Sequence, residues 1–187
     1  MSYKVINLQC PSCGSMVNKD IKKCEYCGRI IEITSTKDFG FLDESEANQC
    51  ISEGKIDKKS LGYCYFKLGL FNKAKQCFLE SLDTNIKDGA LYFALALVSL
   101  GNKKPFLHIR DEINQIEEYI QTAIDLDDNP AYYFMYAYVR YDYHHRKFFN
   151  ISPGYIELLN EALSKKVNEE EIYSIFDCLK LELPSFK

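Results

Sequence analysis

Four of the chain's eight cysteines fall within its first 27 residues, as two C-x-x-C pairs, "CPSC" at Cys10–Cys13 and "CEYC" at Cys24–Cys27. No other feature restricts the fold as much. A segment this short cannot bury enough apolar surface to fold around a core of its own, so whatever ties the thiols together must supply the folding free energy. Ten residues separate the pairs, and Gly14 and Gly28 each follow the second cysteine of a pair. Glycine there lets the chain turn tightly and brings backbone N–H groups toward the sulfurs. The flanking stretches "YKVINL" and "RIIEI" have the composition of short strands.

Four thiolates at this spacing match tetrahedral zinc with a closed coordination shell. An iron centre of the rubredoxin kind uses similar ligands, and spacing alone leaves zinc and iron both open. A thioredoxin-like redox pair wants a single C-x-x-C in a βαβ setting. Catalytic zinc wants an open position, usually with a histidine ligand, and no histidine precedes His108. The metal is therefore expected to be structural. On Cys10, Cys13, Gly14, Cys24, Cys27 and Gly28, residues 1–34 resemble the short zinc ribbons found at the N-termini of many proteins. The resemblance implies structural Zn2+ held by Cys10, Cys13, Cys24 and Cys27.

Charge bears on what such a ribbon would touch. Lys19, Lys22, Lys23 and Arg29 form a modest basic cluster around the second pair, the candidate contacts if the ribbon meets DNA or RNA. Residues 1–36 carry a net +2 and the remainder −6. An acidic body without a long Lys/Arg footprint argues against extended phosphate contact, so a solvated loop tip is the simpler reading of the lysines. The longest purely apolar run, residues 131–139, is about half of what a membrane-spanning helix needs. No signal peptide is visible, and the chain reads as soluble and cytoplasmic, where closely paired cysteines more often mean metal than disulfide.

Residues 35–45 read as a linker, and residues 44–53 as one short helix capped by Asp43 or Ser45 and stopped by Gly54. From residue 46 to 187 the pattern is helical. Asn129 with Pro130, and Ser152 with Pro153, are N-cap and first-turn pairs. Asn168 precedes three acids that suit the positive end of a helix dipole.

Residues 61–85 alternate small and large side chains as a helix–turn–helix pair does. Gly62 and Ala74 are small where two helices would meet, with Tyr65, Leu68, Phe71, Phe78 and Leu82 around them. Gly69 ends the first helix and Asn72 opens the second. Leu61, Gly62, Tyr65, Gly69, Ala74 and Phe78 resemble the tetratricopeptide repeat, with Ser81 in place of its last alanine. A weaker copy begins at residues 90–101, where Gly101 falls 32 residues after Gly69, and its second helix is displaced by the insertion "KKPFLHI". A third pair spans residues 130–147 and 153–164, and a last helix, 168–182, caps the stack. The expected fold is mainly α: a tetratricopeptide-like solenoid of helical hairpins behind a small N-terminal β zinc ribbon.

That resemblance implies a concave groove lined by the first helix of each pair, holding a peptide or helix of a partner protein. Tyr63, Lys67, Tyr92, Tyr133, Arg140 and His144 are its candidate contacts. Residues 131–149 hold nine aromatics and are expected either as a central core helix or as an aromatic interface. His144 and His145, adjacent on a helix, point about 100° apart and are poorly placed to share a metal. No nucleophile elbow, H-E-x-x-H or Walker-type loop is present. Cys50, Cys64, Cys77 and Cys178 sit in helical, mostly apolar contexts and read as small core residues. The expected function is that of a non-enzymatic scaffold or adaptor. The alternatives are a nucleic-acid-associated factor contacting DNA or RNA through its ribbon, and a redox or zinc-release switch.

Overall fold

The protein is described from a computed structural model, which describes residues 8–9, 15–17, 26, 57–83 and 85–186. The chain divides into two compact units, residues 1–56 and 57–187. In the first, β1 (Leu8–Gln9) pairs antiparallel with β2 (Met16–Val17), Leu8 opposite Val17 and Gln9 opposite Met16. The expected helix at 44–53, the linker and the four paired cysteines lie outside the described residues, as do Lys19, Lys22, Lys23, Arg29 and Cys50.

The second unit is helical, which makes the described protein mainly α. Its helices are α1 (Lys58–Lys67), α2 (Phe71–Leu82), α3 (Gly89–Leu100), α4 (Arg110–Leu126), α5 (Pro130–Val139), α6 (Tyr155–Ser164) and α7 (Glu169–Leu179). From α1 to α6 each helix packs on the next, and α1 also touches α3. Taken in order, α1, α3 and α5 are the first helices of three successive packed pairs.

Local chemistry explains most of the boundaries. Asp57 caps α1 by accepting the Ser60 N–H at 2.7 Å, and Asp88 caps α3 by accepting that of Leu91 at 3.2 Å. Asn129 and Asn168 cap α5 and α7 as expected, with Pro130 in the first turn of α5 and Glu169, Glu170 and Glu171 in that of α7. Gly69 (φ 74°) and Gly101 (φ 58°) end α1 and α3 in a backbone region that disfavours other residues. Four boundaries differ from expectation. Helix α2 opens at Phe71 behind Leu70, because Gly69 has already turned the chain, and Asn72 lies inside it. Helix α6 starts two residues later than the Ser-Pro pair implies: Gly154 is its cap, and the Glu157 carboxylate accepts the Gly154 N–H at 3.2 Å. Helix α7 stops at Leu179, where Lys180 turns left-handed.

The fourth difference is larger. Residues 130–147 do not form one α-helix. After α5 the chain widens into a π turn, Arg140–His144, then tightens into a 3-10 turn, His145–Lys147, and Phe148 (φ 60°) ends it left-handed. Asp142, buried in the π turn, accepts the Phe106 N–H at 2.8 Å and pairs with Arg146. It thereby pins the inserted turn Pro105–Leu107.

The first hairpin packs as its sequence implies. An added Cβ at Gly62 would lie 2.4 Å from the ring of Phe78, so only glycine admits α2 this closely. Ala74 and Phe78 are fully buried, as is Cys64, and Cys77 is nearly so. Ser81 satisfies its hydroxyl on the Cys77 carbonyl at 2.8 Å, which lets it stand in for an alanine. In the aromatic stretch Tyr132, Tyr136, Tyr138 and Tyr143 are buried in the core and Tyr133, Phe134 and Tyr141 are half-buried, whereas Phe148 is 96% exposed.

Candidate functional site: the first-helix groove

The first helices carry side chains that meet α7 and the tail after it. Ile172, Phe176 and Leu179 form an i, i+4, i+7 stripe on α7 and are buried. Phe176 packs edge-on against Phe134 (6.4 Å) and Tyr138 (5.0 Å) of α5. Lys67 of α1 is near enough to Cys178 to oppose the upward push that burial gives that thiol. A Cβ at Gly69 would be 4.0 Å from the Lys180 ammonium. Beyond the helix, Glu182 pairs with Lys104 after α3 (3.4 Å), and Phe186 packs on Phe134, Tyr141 and Tyr155 at 5.3–6.1 Å. Thus α7 and its tail reach the end of α1, the turn after α3, α5 and the first residue of α6.

Polar links tie the first helices to one another. Lys59 of α1 pairs with the α3 cap Asp88 at 2.5 Å. The Tyr63 hydroxyl donates to the Ala90 carbonyl at 3.4 Å, while burial and the nearby Asp88 push its pKa up to about 12. Tyr132 donates to Asp127 at 3.3 Å and stacks on Phe93 at 4.3 Å. Burial, Asp127 and Tyr63 raise its pKa further, and Glu171 of α7 adds to the rise.

The six expected contact residues fall into three groups. Tyr63 and Lys67 are on α1, where Tyr63 meets Phe78 of α2 and Ala90 of α3 and Lys67 bears on Cys178 of α7. Tyr92 and Tyr133 face second helices: Tyr92 acts electrostatically on Tyr119 of α4, and Tyr133 donates to Asp128 at 2.7 Å beneath the Lys165 ammonium. Arg140 and His144 turn to α4, where Glu117 Oε1 lies 3.2 Å from Arg140 Nε and 2.9 Å from His144 Nε2. That Glu117 carboxyl is pushed up to about 7 by burial, against the pull of Arg140. His144 is pushed down to about 4 by burial, with Arg140, Arg110 and Lys147 adding to the shift. At neutral pH the imidazole is therefore neutral and the carboxyl is near half-protonation.

Sequence reasoning missed the pairing of Phe134 and Tyr138 with α7, and Glu117 altogether. The signal for the first two was present, since 134, 138 and 141 repeat at helical spacing toward α7 and the tail. Nothing in the sequence pairs Glu117 with residues 23 and 27 positions later. Among the described residues, no group of three or more His, Cys, Asp or Glu could hold a metal ion, and no helix is long and apolar enough to cross a membrane. No family model matches the chain, and it matches no curated protein and no solved structure.

Proposed function

We propose that the chain is a non-enzymatic, intracellular protein-interaction adaptor: a tetratricopeptide-like helical stack that takes an amphipathic helix of a partner in its first-helix groove, behind an N-terminal four-cysteine zinc ribbon. The observation that carries this reading is α7 itself. Within its buried stripe of Ile172, Phe176 and Leu179, Phe176 packs on Phe134 and Tyr138 of α5, a first helix in the repeat reading. A groove that accommodates one amphipathic helix has the shape and apolar lining to accommodate another. The helix-on-helix succession α1 to α6, the Gly62–Phe78 approach and the left-handed glycines 32 residues apart support the repeat reading. For the ribbon, the antiparallel pairing of Leu8–Gln9 with Met16–Val17 flanks the Cys10–Cys13 pair, as strands flank a metal knuckle. Cys10, Cys13, Cys24 and Cys27 would hold the zinc, whose role is to replace a core.

The test uses full-length protein. A labelled peptide with apolar residues at the α7 spacing should bind Phe176→Ala protein more tightly than wild type, because the resident helix is loosened. Lys67→Glu in the same background should weaken that binding if the peptide takes the α7 position. Equal binding to wild type and Phe176→Ala would remove the groove from the proposal. Bound zinc at one ion per chain, lost in Cys24→Ser, is the expected metal analysis. The nucleic-acid alternative is favoured instead if salt-dependent retention on DNA or RNA disappears when Lys19, Lys22 and Lys23 become Glu.

A further inference from the structure

We propose that the crevice between the end of α5 and the start of α6 binds a small organic anion, its carboxylate or phosphoryl group held by the Arg140 guanidinium. The cavity is about 280 Å³ and is bordered by Arg140, His144, His145, Phe149, Gly154 and Tyr155. The site lies apart from the α7 groove and stands independently of the adaptor reading.

Three observations carry it. The first is an incompletely used guanidinium. The Arg140 side chain is only 12% exposed, and it spends Nη2 on the Tyr136 hydroxyl. Its buried Nε lies 3.2 Å from Glu117 Oε1, but the N–H does not point along that line, so Nε has no hydrogen-bond partner among the described residues. Nη1 makes no hydrogen bond there either. Buried donors are almost always satisfied, and an arginine fork is shaped to take a carboxylate or phosphate.

The second is charge. Arg140, Arg110 and Lys147 all bear on His144, while the one carboxylate beside the guanidinium, Glu117, is shared with His144. Glu157 at the far rim is engaged with the Gly154 N–H. The third is construction. Both histidines, one at the end of the π turn and one at the start of the 3-10 turn, line the cavity. His144 is fixed on Glu117, and His145 is stacked against Tyr141 and tilted against Tyr155. Such π turns recur at functional sites. Ile151 and Ile156 add an apolar wall, which suits a ligand with a short hydrocarbon or ring body. The volume is at the lower limit for small-molecule sites, too small for a nucleotide or a peptide.

Glu117 faces Arg140, His144 and Tyr136 across the α4–α5 seam. Burial favours its protonation, which frees Arg140 of its counter-charge, so anion binding strengthens as pH falls.

Calorimetry on the full chain, with inorganic phosphate in one arm and benzoate in the other, tests the site. Saturable one-to-one binding in the phosphate arm assigns a phosphoryl ligand, and in the benzoate arm a carboxylate. Either should weaken roughly tenfold or more in Arg140→Gln. Gly154→Leu tests the cavity without touching Arg140: a Cβ there meets nothing closer than 3.9 Å, so the variant should fold and block the crevice. Loss of binding in folded Gly154→Leu, shown by unchanged circular dichroism, supports the site even if Arg140→Gln fails to fold. Absence of saturable binding in both arms, or unchanged binding in Gly154→Leu, overturns it.

Discussion

The first and third hairpins of the helical unit are built on the same plan and finished differently. In α1–α2 a glycine meets a phenylalanine ring, helix ends are set by Gly69 and Asp57, and the interior is apolar. In α5–α6 the first helix ends in a π turn, a left-handed Phe148 and a late start for α6, and its polar residues reach to α4. The regular pair shows how the stack holds together. The irregular pair shows where the chain gives up local regularity for a buried Glu117–Arg140–His144 cluster. Natural sequences tend to break local rules at sites kept for something other than stability.

If the contrast is right, the regular hairpin should be governed by packing alone. Phe78→Ala empties a fully buried site and should cost about 3–5 kcal/mol in urea unfolding. Gly62→Ala, which puts a methyl 2.4 Å from that ring, should cost about 1–3 kcal/mol by overpacking. A Gly62→Ala protein as stable as wild type would break the account of the close approach.

The irregular hairpin should respond to pH instead. Glu117, raised from 4.5 to about 7, is protonated in the folded chain where the unfolded chain has released its proton. That contribution is present at low pH and lost as pH rises from 4.5 to 7. His144, lowered from 6.5 to about 4, works oppositely, its contribution growing as pH rises from 4 to 6.5. The two offset each other between 4.5 and 6.5. Glu117→Gln removes only the first, so its stability should climb more steeply than that of wild type from pH 4 to 6.5 in thermal melts across that range. Parallel pH profiles would show that the cluster is not coupled to folding. The smallest effect is expected at the surface, where Lys165→Met breaks exposed pairs with Asp128 and Glu161 and should leave the melting temperature unchanged within error.

Much of the regular hairpin was legible in advance. Gly62, Gly69, Ala74 and Phe78 are read from spacing because helical pairs depend on local small-residue packing, and Asn129 and Asn168 because caps are local. The break at Arg140 was not legible: a π turn is set by what the widened segment can reach, here Asp142 on the Phe106 N–H and Glu117 across the seam. The late start of α6 followed from Glu157 competing as the capping group. A last helix capping the stack was expected, but not the α5 side chains that it packs on. The stripe 172, 176, 179 announces only that α7 is covered on one face, without saying by which helices.

Because α7 meets α5 through side chains while α1 to α6 pack in closer succession, its opening should be the lower-energy event. Amide hydrogen exchange of the full chain, with and without a peptide of residues 167–187 added in trans, measures this directly. The account predicts that Glu169–Leu179 exchanges ahead of α1–α4, and that the peptide speeds its exchange while α1, α3 and α5 stay protected. Exchange of α7 only together with the whole unit, unchanged by the peptide, would contradict a groove that can trade one helix for another.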